Sequence, residues 1–503
     1  MKKQIYNPFL PEGEYFPDAE PHVFDGRVYI YASHDKCGAL RYCPGDYVFW
    51  SADVRDLRDW SNCGVSYRRR GKFNPTGFKC MWAPDCVRGA DGRYYLYYCF
   101  GFENRICVAV SDRPDTGFKF YGVVRHADGT LYGKGEKDIM CFDPGAFVDD
   151  DGSVWLYSGY SANEDLRRML RMRGIKNVDG TGGQIVGLDP ADMLTVVGEP
   201  KMSIPGYKNS AGTGFEGHEM YEASSMRKIK GRYYFIYSSR LSHELAYAIG
   251  DRPDGPFKFG GAIISNGDIG YKGRTQADAT YYWGNVHGSN EEINGKYYVF
   301  YHRQTNKNEQ SRQTCAEEIR IADDGSIAQV EMTSCGLNGG ALVGEGYYPA
   351  YIACELTSAE GAVKCAYGPF SRHKYRKHPC VTEYEKGRQC IKGMRGGSTA
   401  GYKYFDMNGE VKMTVTVRGD AGRLLVSANR DGGPIAEIPI SGSRGWTDAS
   451  ARVPFGKGNT AVYLTYDGEG GIDLLGMEFS PEKHMGYLQT FRKVLTDGGG
   501  VIV

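Results

Sequence analysis

The chain has 503 residues, 41% of them hydrophobic and 24% charged, and its 61 basic and 61 acidic side chains cancel to a formal net charge of zero. That balance carries no electrostatic footprint of a nucleic-acid or anionic-membrane partner, and a neutral substrate fits it better than a polyanion. The length predicts two or three domains rather than one core.

Tyrosine (38) and glycine (69) are abundant, which predicts an all-β protein with frequent turns, since aromatics suit strands and glycine suits turns. Two lysines follow Met1, but no apolar run succeeds them, and no stretch of 18 apolar residues occurs anywhere; neither a signal peptide nor a membrane span is expected. The 14 cysteines are scattered, without a Cys-x-x-Cys pair or zinc-site spacing. Reduced thiols and a cytoplasmic location are therefore expected.

One pattern recurs five times along the first 340 residues. It begins as Asp25-Gly26-Arg27-Val28-Tyr29-Ile30-Tyr31 and returns around Gly92, Gly152, Gly231 and Gly295, at intervals of 66, 60, 79 and 64 residues. Each copy reads as a tight turn followed by a strand of aromatic and β-branched residues. A second motif keeps the same register: Ser111-Asp112-Arg113-Pro114 and Gly250-Asp251-Arg252-Pro253 each place their Asp 20 residues after the turn glycine. Fixed-period all-β units of this size predict a five-bladed β-propeller over residues 1–345, since the coils of a β-solenoid are shorter.

The composition changes near residue 350. Val411, Met413, Val415 and Val417 alternate with Lys412, Thr414, Thr416 and Arg418, and short strands follow at Arg423–Ala428, Ile435–Ile440, Ala461–Tyr466 and Ile472–Phe479. This predicts a β-sandwich over 346–480, with a C-terminal extension, 481–503, that holds at most a short helix near Met485–Leu495.

In a propeller the innermost strands line a central channel, so acids just upstream of each turn converge although they are far apart in sequence. Each blade has a polar residue seven to nine positions before its turn glycine: Asp18, Asp85, Asp143, Glu222 and His287. A pair of carboxyls at such a channel suits glycosidic hydrolysis, which needs a proton donor for the leaving oxygen and a second carboxylate on the opposite face. Asp25, Asp91 and Asp151 sit in the turns themselves and read as turn residues.

The segments Asp18-Ala19-Glu20-Pro21, Trp82-Ala83-Pro84-Asp85, Asp143-Pro144, Tyr221-Glu222-Ala223-Ser224 and Tyr301-His302-Arg303 resemble glycoside hydrolase family 43, in order, from about Asn7 to Leu342. The similarity is greatest to its α-L-arabinofuranosidase and β-xylosidase members. The resemblance implies an inverting exo-hydrolase that releases terminal arabinofuranose or xylose from plant oligosaccharides. It implies Asp18 as general base, Glu222 as general acid and Asp143 as the group that tunes and orients Glu222. In an inverting enzyme the two working carboxyls stand roughly 6.5–9.5 Å apart. The family's Asp-Pro is interrupted here by Ala19-Glu20, so Glu20 competes with Asp18 as the base. Trp82, Asp85, His287, Arg303 and Arg312 are candidate sugar contacts. The resemblance requires no cofactor but admits a structural calcium, hydrated, beside His287. His34 and Asp35, at the end of blade one's second strand, have no assigned role.

The sandwich resembles a family 6 carbohydrate-binding module at Gly401–Phe405, Val415–Gly419 and Ile472–Leu475, with Tyr404, Trp446 and Tyr466 as aromatic candidates. Two alternatives remain on the same scaffold: another terminal specificity such as β-galactosidase, and a sugar-binding or protein-binding propeller without catalysis.

Overall fold

Each repeated turn opens one antiparallel sheet whose strands lie side by side in chain order. The computed structural model describes residues 3–481, apart from 102, 163, 173–174, 176–177, 179 and 366–376. The innermost strands are Glu20–Phe24, Met81–Arg88, Gly145–Val148, Met220–Ile229 and Ser289–Ile293. Four of the sheets have four strands and the fifth has three. At three turns both central residues are left-handed (Asp25 and Gly26 at φ 50° and 77°, Lys230 and Gly231 at 50° and 78°, Asn294 and Gly295 at 52° and 78°). This is the turn whose twist matches the flanking strands, and it explains the Asp/Asn-Gly signature.

Alternation along the second strands builds the ring. In Tyr94–Phe100, Tyr95 and Tyr97 pack with Leu156 and Val186 of blade three, whereas Tyr94, Leu96 and Tyr98 pack with Tyr31 and Phe49 of blade one. Period-2 strands with both faces covered therefore read as unbroken apolar runs. Equivalent cores join blades three and four, four and five, and five and one, where Phe16, Val28 and Ile30 meet Ile293 and Phe300. The Asp-Arg-Pro motif also has a physical role. Tyr31 Oη donates to the carbonyl of Pro114 at 2.7 Å, and Tyr157 Oη to that of Pro253 at 2.8 Å, so each motif is held by the preceding blade. At the seam, Ala19 bridges Gly288 in parallel, and the Asn7 amide exchanges hydrogen bonds with the backbone of Ala316.

The longest blade interval, 79 residues, contains the helix Glu164–Met172, an element the repeat pattern does not announce.

A sixth sheet, beyond the blades, has ten strands, from Leu342–Val343 to Gly471–Pro481. Two very long strands, Thr399–Gly419 and Ser443–Asp467, pair with one another across three register shifts. Those bulges bend the sheet over its own apolar face into a sandwich. Val411, Met413, Val415 and Val417 point into its core as the alternation predicts. That core also takes in Tyr281 and Tyr282 of the propeller region. The two units are further joined by Lys403, whose Nζ lies 3.2 Å from Asp268, 2.9 Å from Glu331 and 3.0 Å from Glu355. The expected 481–503 extension and its helix lie, beyond Pro481, outside the described residues.

Candidate active site

The innermost strands do not run straight into the channel. Asp18, Ala83, Asp143 and Ala223 all have positive φ (62°, 34°, 44° and 69°), and register shifts flank Ala83 and Ala223. Left-handed non-glycine residues are costly and cluster at sites that the surrounding fold over-determines. Here the kink recurs at the channel end of four blades. Asp18 and Asp143 are themselves kinked residues, and Glu222 immediately precedes one.

These kinks bring the acids to one cavity of about 830 Å³, whose walls include Asp18, Asp143, Glu222, Trp82, His287 and Arg312. The three carboxyls have different surroundings. Asp18 is buried, which works to raise its pKa, but Arg312 and His287 outweigh burial and hold it below the usual carboxylate value. Nη1 of Arg312 donates to its Oδ1 at 2.8 Å. Its backbone N–H donates to Nδ1 of His302 at 3.3 Å. His302 is pushed down to about 3 by burial and by Arg312, and is therefore neutral; its Nε2 lies 2.9 Å from the carbonyl of Asn285. That contact assigns the proton to Nε2 and leaves Nδ1 as the acceptor.

Glu222, half-buried, is the opposite case. Desolvation raises its pKa well above the ordinary value, the charges of Asp143 and Asp18 add to the rise, and His287 only partly offsets it. Asp143 is raised by burial and moderated by His287, whose Nδ1 lies 3.5 Å from Oδ2. Burial works against a charged His287, but the surrounding Asp143, Glu20 and Asp18 keep it protonated well above the normal range.

The other sequence candidates separate. Glu20 is buried but off the cavity wall; its Oε2 accepts from Ser225 Oγ at 3.0 Å and Arg227 Nη2 at 3.1 Å. Asp85 is likewise off the wall. It meets His22 Nε2 at 2.6 Å and accepts the Ala146 N–H at 2.7 Å, tying blade two to both neighbours. Arg303 is buried away from the cavity and donates to the carbonyls of Ala353 (2.6 Å) and Tyr351 at the start of the sandwich. Trp82 stands on the wall, edge-on to Phe142 and Tyr42. Among the aromatic candidates of the sandwich, Tyr466 is in the core, Tyr404 hydrogen-bonds Glu331 at 2.7 Å, and Trp446 is faced by the Arg418 guanidinium at 4.4 Å.

Several wall residues were not singled out from the sequence. Tyr42 and Cys43 come from the loop after blade one's second strand, Leu166 and Met169 from the inserted helix, and Lys364 and Cys365 from the segment that precedes most of the sandwich. Glu309 accepts from Tyr42 Oη at 2.8 Å. No spacing signalled it, since residues three apart on a regular strand, as Glu309 and Arg312 are, face opposite sides. The loop and second-domain residues carry no periodic signal.

Comparison with known proteins identifies the family. Residues 5–327 match the family model described as glycosyl hydrolases family 43. A "Xylosidase/arabinosidase" of Thermoclostridium stercorarium is 44% identical over 482 residues, covering 94% of this chain and 98% of the relative. A "Beta-xylosidase" of Xylanibacter ruminicola is 29% identical over 58% of this chain and 88% of its own length. The crystal structure of a GH43_1 enzyme from Xanthomonas citri superposes with a TM-score of 0.51 at 23% identity, over 65% of this chain and 94% of that one, a likeness of fold. The chain belongs to glycosyl hydrolases family 43 and is a glycoside hydrolase on a five-bladed propeller.

Proposed function

We propose that this enzyme is an inverting exo-hydrolase that releases terminal β-D-xylose, α-L-arabinofuranose or both from plant-derived oligosaccharides, in a cytoplasmic setting. The observation that carries this reading is the opposed environments of Asp18 and Glu222 on one cavity. Acid and base assignments follow where surroundings push two carboxyls apart in pKa. Glu222, held protonated, gives its proton to the leaving oxygen. Asp18, held ionised, takes a proton from the water that attacks the anomeric carbon from the opposite face. Asp143 raises the proton affinity of Glu222. Trp82, on the cavity wall, offers an aromatic surface to the sugar's apolar face.

The exo reading is supported by the helix residues Leu166 and Met169 and by Lys364, which wall the cavity beside the acids and favour a chain end over a chain passing through. The pentose reading is supported by the names of the relatives. The cytoplasmic setting is supported by fourteen cysteines that are all free.

The channel centre beside His287 also fits a structural calcium. Glu20 Oε1, 3.9 Å from Nε2 of His287, is a buried oxygen without a hydrogen bond among the described residues, and a hard oxygen donor suits this ion. Its positive charge would supplement that of His287, which would meet it through water.

A panel of 4-nitrophenyl glycosides tests the specificity. Turnover of the β-D-xyloside or the α-L-arabinofuranoside is expected, with the β-D-galactoside inert. Preferential cleavage of the galactoside would refute it.

A further inference from the structure

We propose that Asp35 is a positioning residue for the catalytic base: it fixes the Arg312 guanidinium so that only one of its N–H groups reaches Asp18, which leaves the second oxygen of Asp18 for water. This rests on the reading of Asp18 as the base.

Asp35 follows the second strand of blade one, Arg27–Tyr31, and is almost wholly buried. All its acceptor capacity is directed inward. Oδ2 accepts from Nε of Arg312 at 2.8 Å and from its backbone N–H at 3.2 Å; Oδ1 accepts from Nη2 of Arg312 at 3.2 Å and from the backbone N–H of Cys43 at 2.9 Å. Arg312 belongs to the outermost strand of blade five, Asn308–Ile319, so the pair also crosses the seam that closes the ring. The fork fixes the plane of the guanidinium, because a bidentate pair has one geometry.

An arginine carries five N–H groups. Nε and one Nη2 hydrogen go to Asp35, Nη2 also reaches Cys43 Sγ at 3.3 Å, and one Nη1 hydrogen goes to Asp18 Oδ1 at 2.8 Å. Without Asp35, the same guanidinium would be free to turn its fork onto Asp18 and occupy both oxygens. With Asp35 in place, Asp18 Oδ2 meets the weak thiol donor of Cys43 at 3.9 Å, and the Ser33 hydroxyl is a further neighbour of the carboxyl; among the described residues no guanidinium fork spans both oxygens, so Oδ2 keeps a lone pair. A general base needs a free lone pair within hydrogen-bond reach of its water. Asp35 keeps that lone pair open, while Arg312 still holds the carboxylate in place through Oδ1.

The test compares Asp35→Asn in two backgrounds, with a 4-nitrophenyl glycoside as substrate. In the otherwise unmodified enzyme, kcat should fall about 10²-fold, the lower end of what a general base supplies, with little change in KM. In Asp18→Gly, sodium azide replaces the activated water. It attacks the anomeric carbon without deprotonation, the bond to nitrophenolate breaks, and the glycosyl azide of inverted configuration forms. There Asp35→Asn should change the azide-dependent rate by less than about threefold, because groups that act as one unit are not additive. An equal loss in both backgrounds would mean a merely structural role and overturn the inference. If Asp35→Asn does not fold, Arg312→Lys, which keeps the charge but cannot span both carboxylates, must show the same split, and an equal loss again overturns the inference. If azide fails to restore Asp18→Gly, the base assignment itself fails and the role of Asp35 falls with it. Rescue with equal losses removes Asp35 alone.

Discussion

Nδ1 of His287 stands 3.5 Å from Oδ2 of Asp143, so an imidazolium leading into blade five favours the ionised form of an acid on blade three, which in turn acts on Glu222 of blade four. Burial alone would drive Asp143 toward its neutral form; the imidazolium moderates that rise. A charged Asp143 is then the largest electrostatic contribution to the raised pKa of Glu222, after desolvation.

This ordering predicts a pH effect with a definite sign. The proton donor is active below its pKa and lost as the pH rises through it. Asp143→Asn removes a negative charge beside Glu222 and so lowers that pKa. The alkaline limb of kcat/KM should move to lower pH, as read from a pH–rate profile. A limb that stays in place or moves upward would show that Asp143 does not tune Glu222.

Glu222→Gln should separate substrates by leaving group. With xylobiose, whose leaving oxygen needs a proton, kcat should fall about 10³-fold. With a 4-nitrophenyl glycoside, whose leaving group departs as a stable anion, the loss should be much smaller. Steady-state kinetics on the two substrates measure the difference, and equal losses would contradict the role of general acid.

Arg303→Ala should cost stability rather than substrate binding. It strands the buried carbonyls of Ala353 and Tyr351, and each unsatisfied buried acceptor costs about 1–3 kcal/mol, so a loss of about 2–6 kcal/mol is expected in denaturant unfolding. KM should remain unchanged. A raised KM with unaltered stability would instead place Arg303 against the sugar.

Much of this was legible in the sequence, for specific reasons. The turn glycines occupy left-handed positions that few other residues tolerate, so they print the blade period directly. The acids at 18, 143 and 222 share a distance to those turns, and the fold preserves that register as proximity. Asp85 shares it too, yet its carboxyl turns into the seams between blades, because the left-handed residue of that strand is Ala83 and the kink falls elsewhere. Arg303 shows a different limit. It neighbours His302 on a strand whose side chains alternate, so when His302 faces Asp18, Arg303 must face the sandwich. Register along a strand was readable, but the phase of the alternation was not. Tyr42, Cys43 and Lys364 reach the cavity from irregular segments and from another domain, where no local pattern encodes the destination.

In an inverting reaction Asp18 and Glu222 work on opposite faces of the sugar. Proton NMR of the first product formed from a β-D-xyloside, recorded before mutarotation, tests it most directly. The first xylose released should be the α anomer; release of the β anomer would mean retention and rule out attack by an Asp18-activated water opposite Glu222.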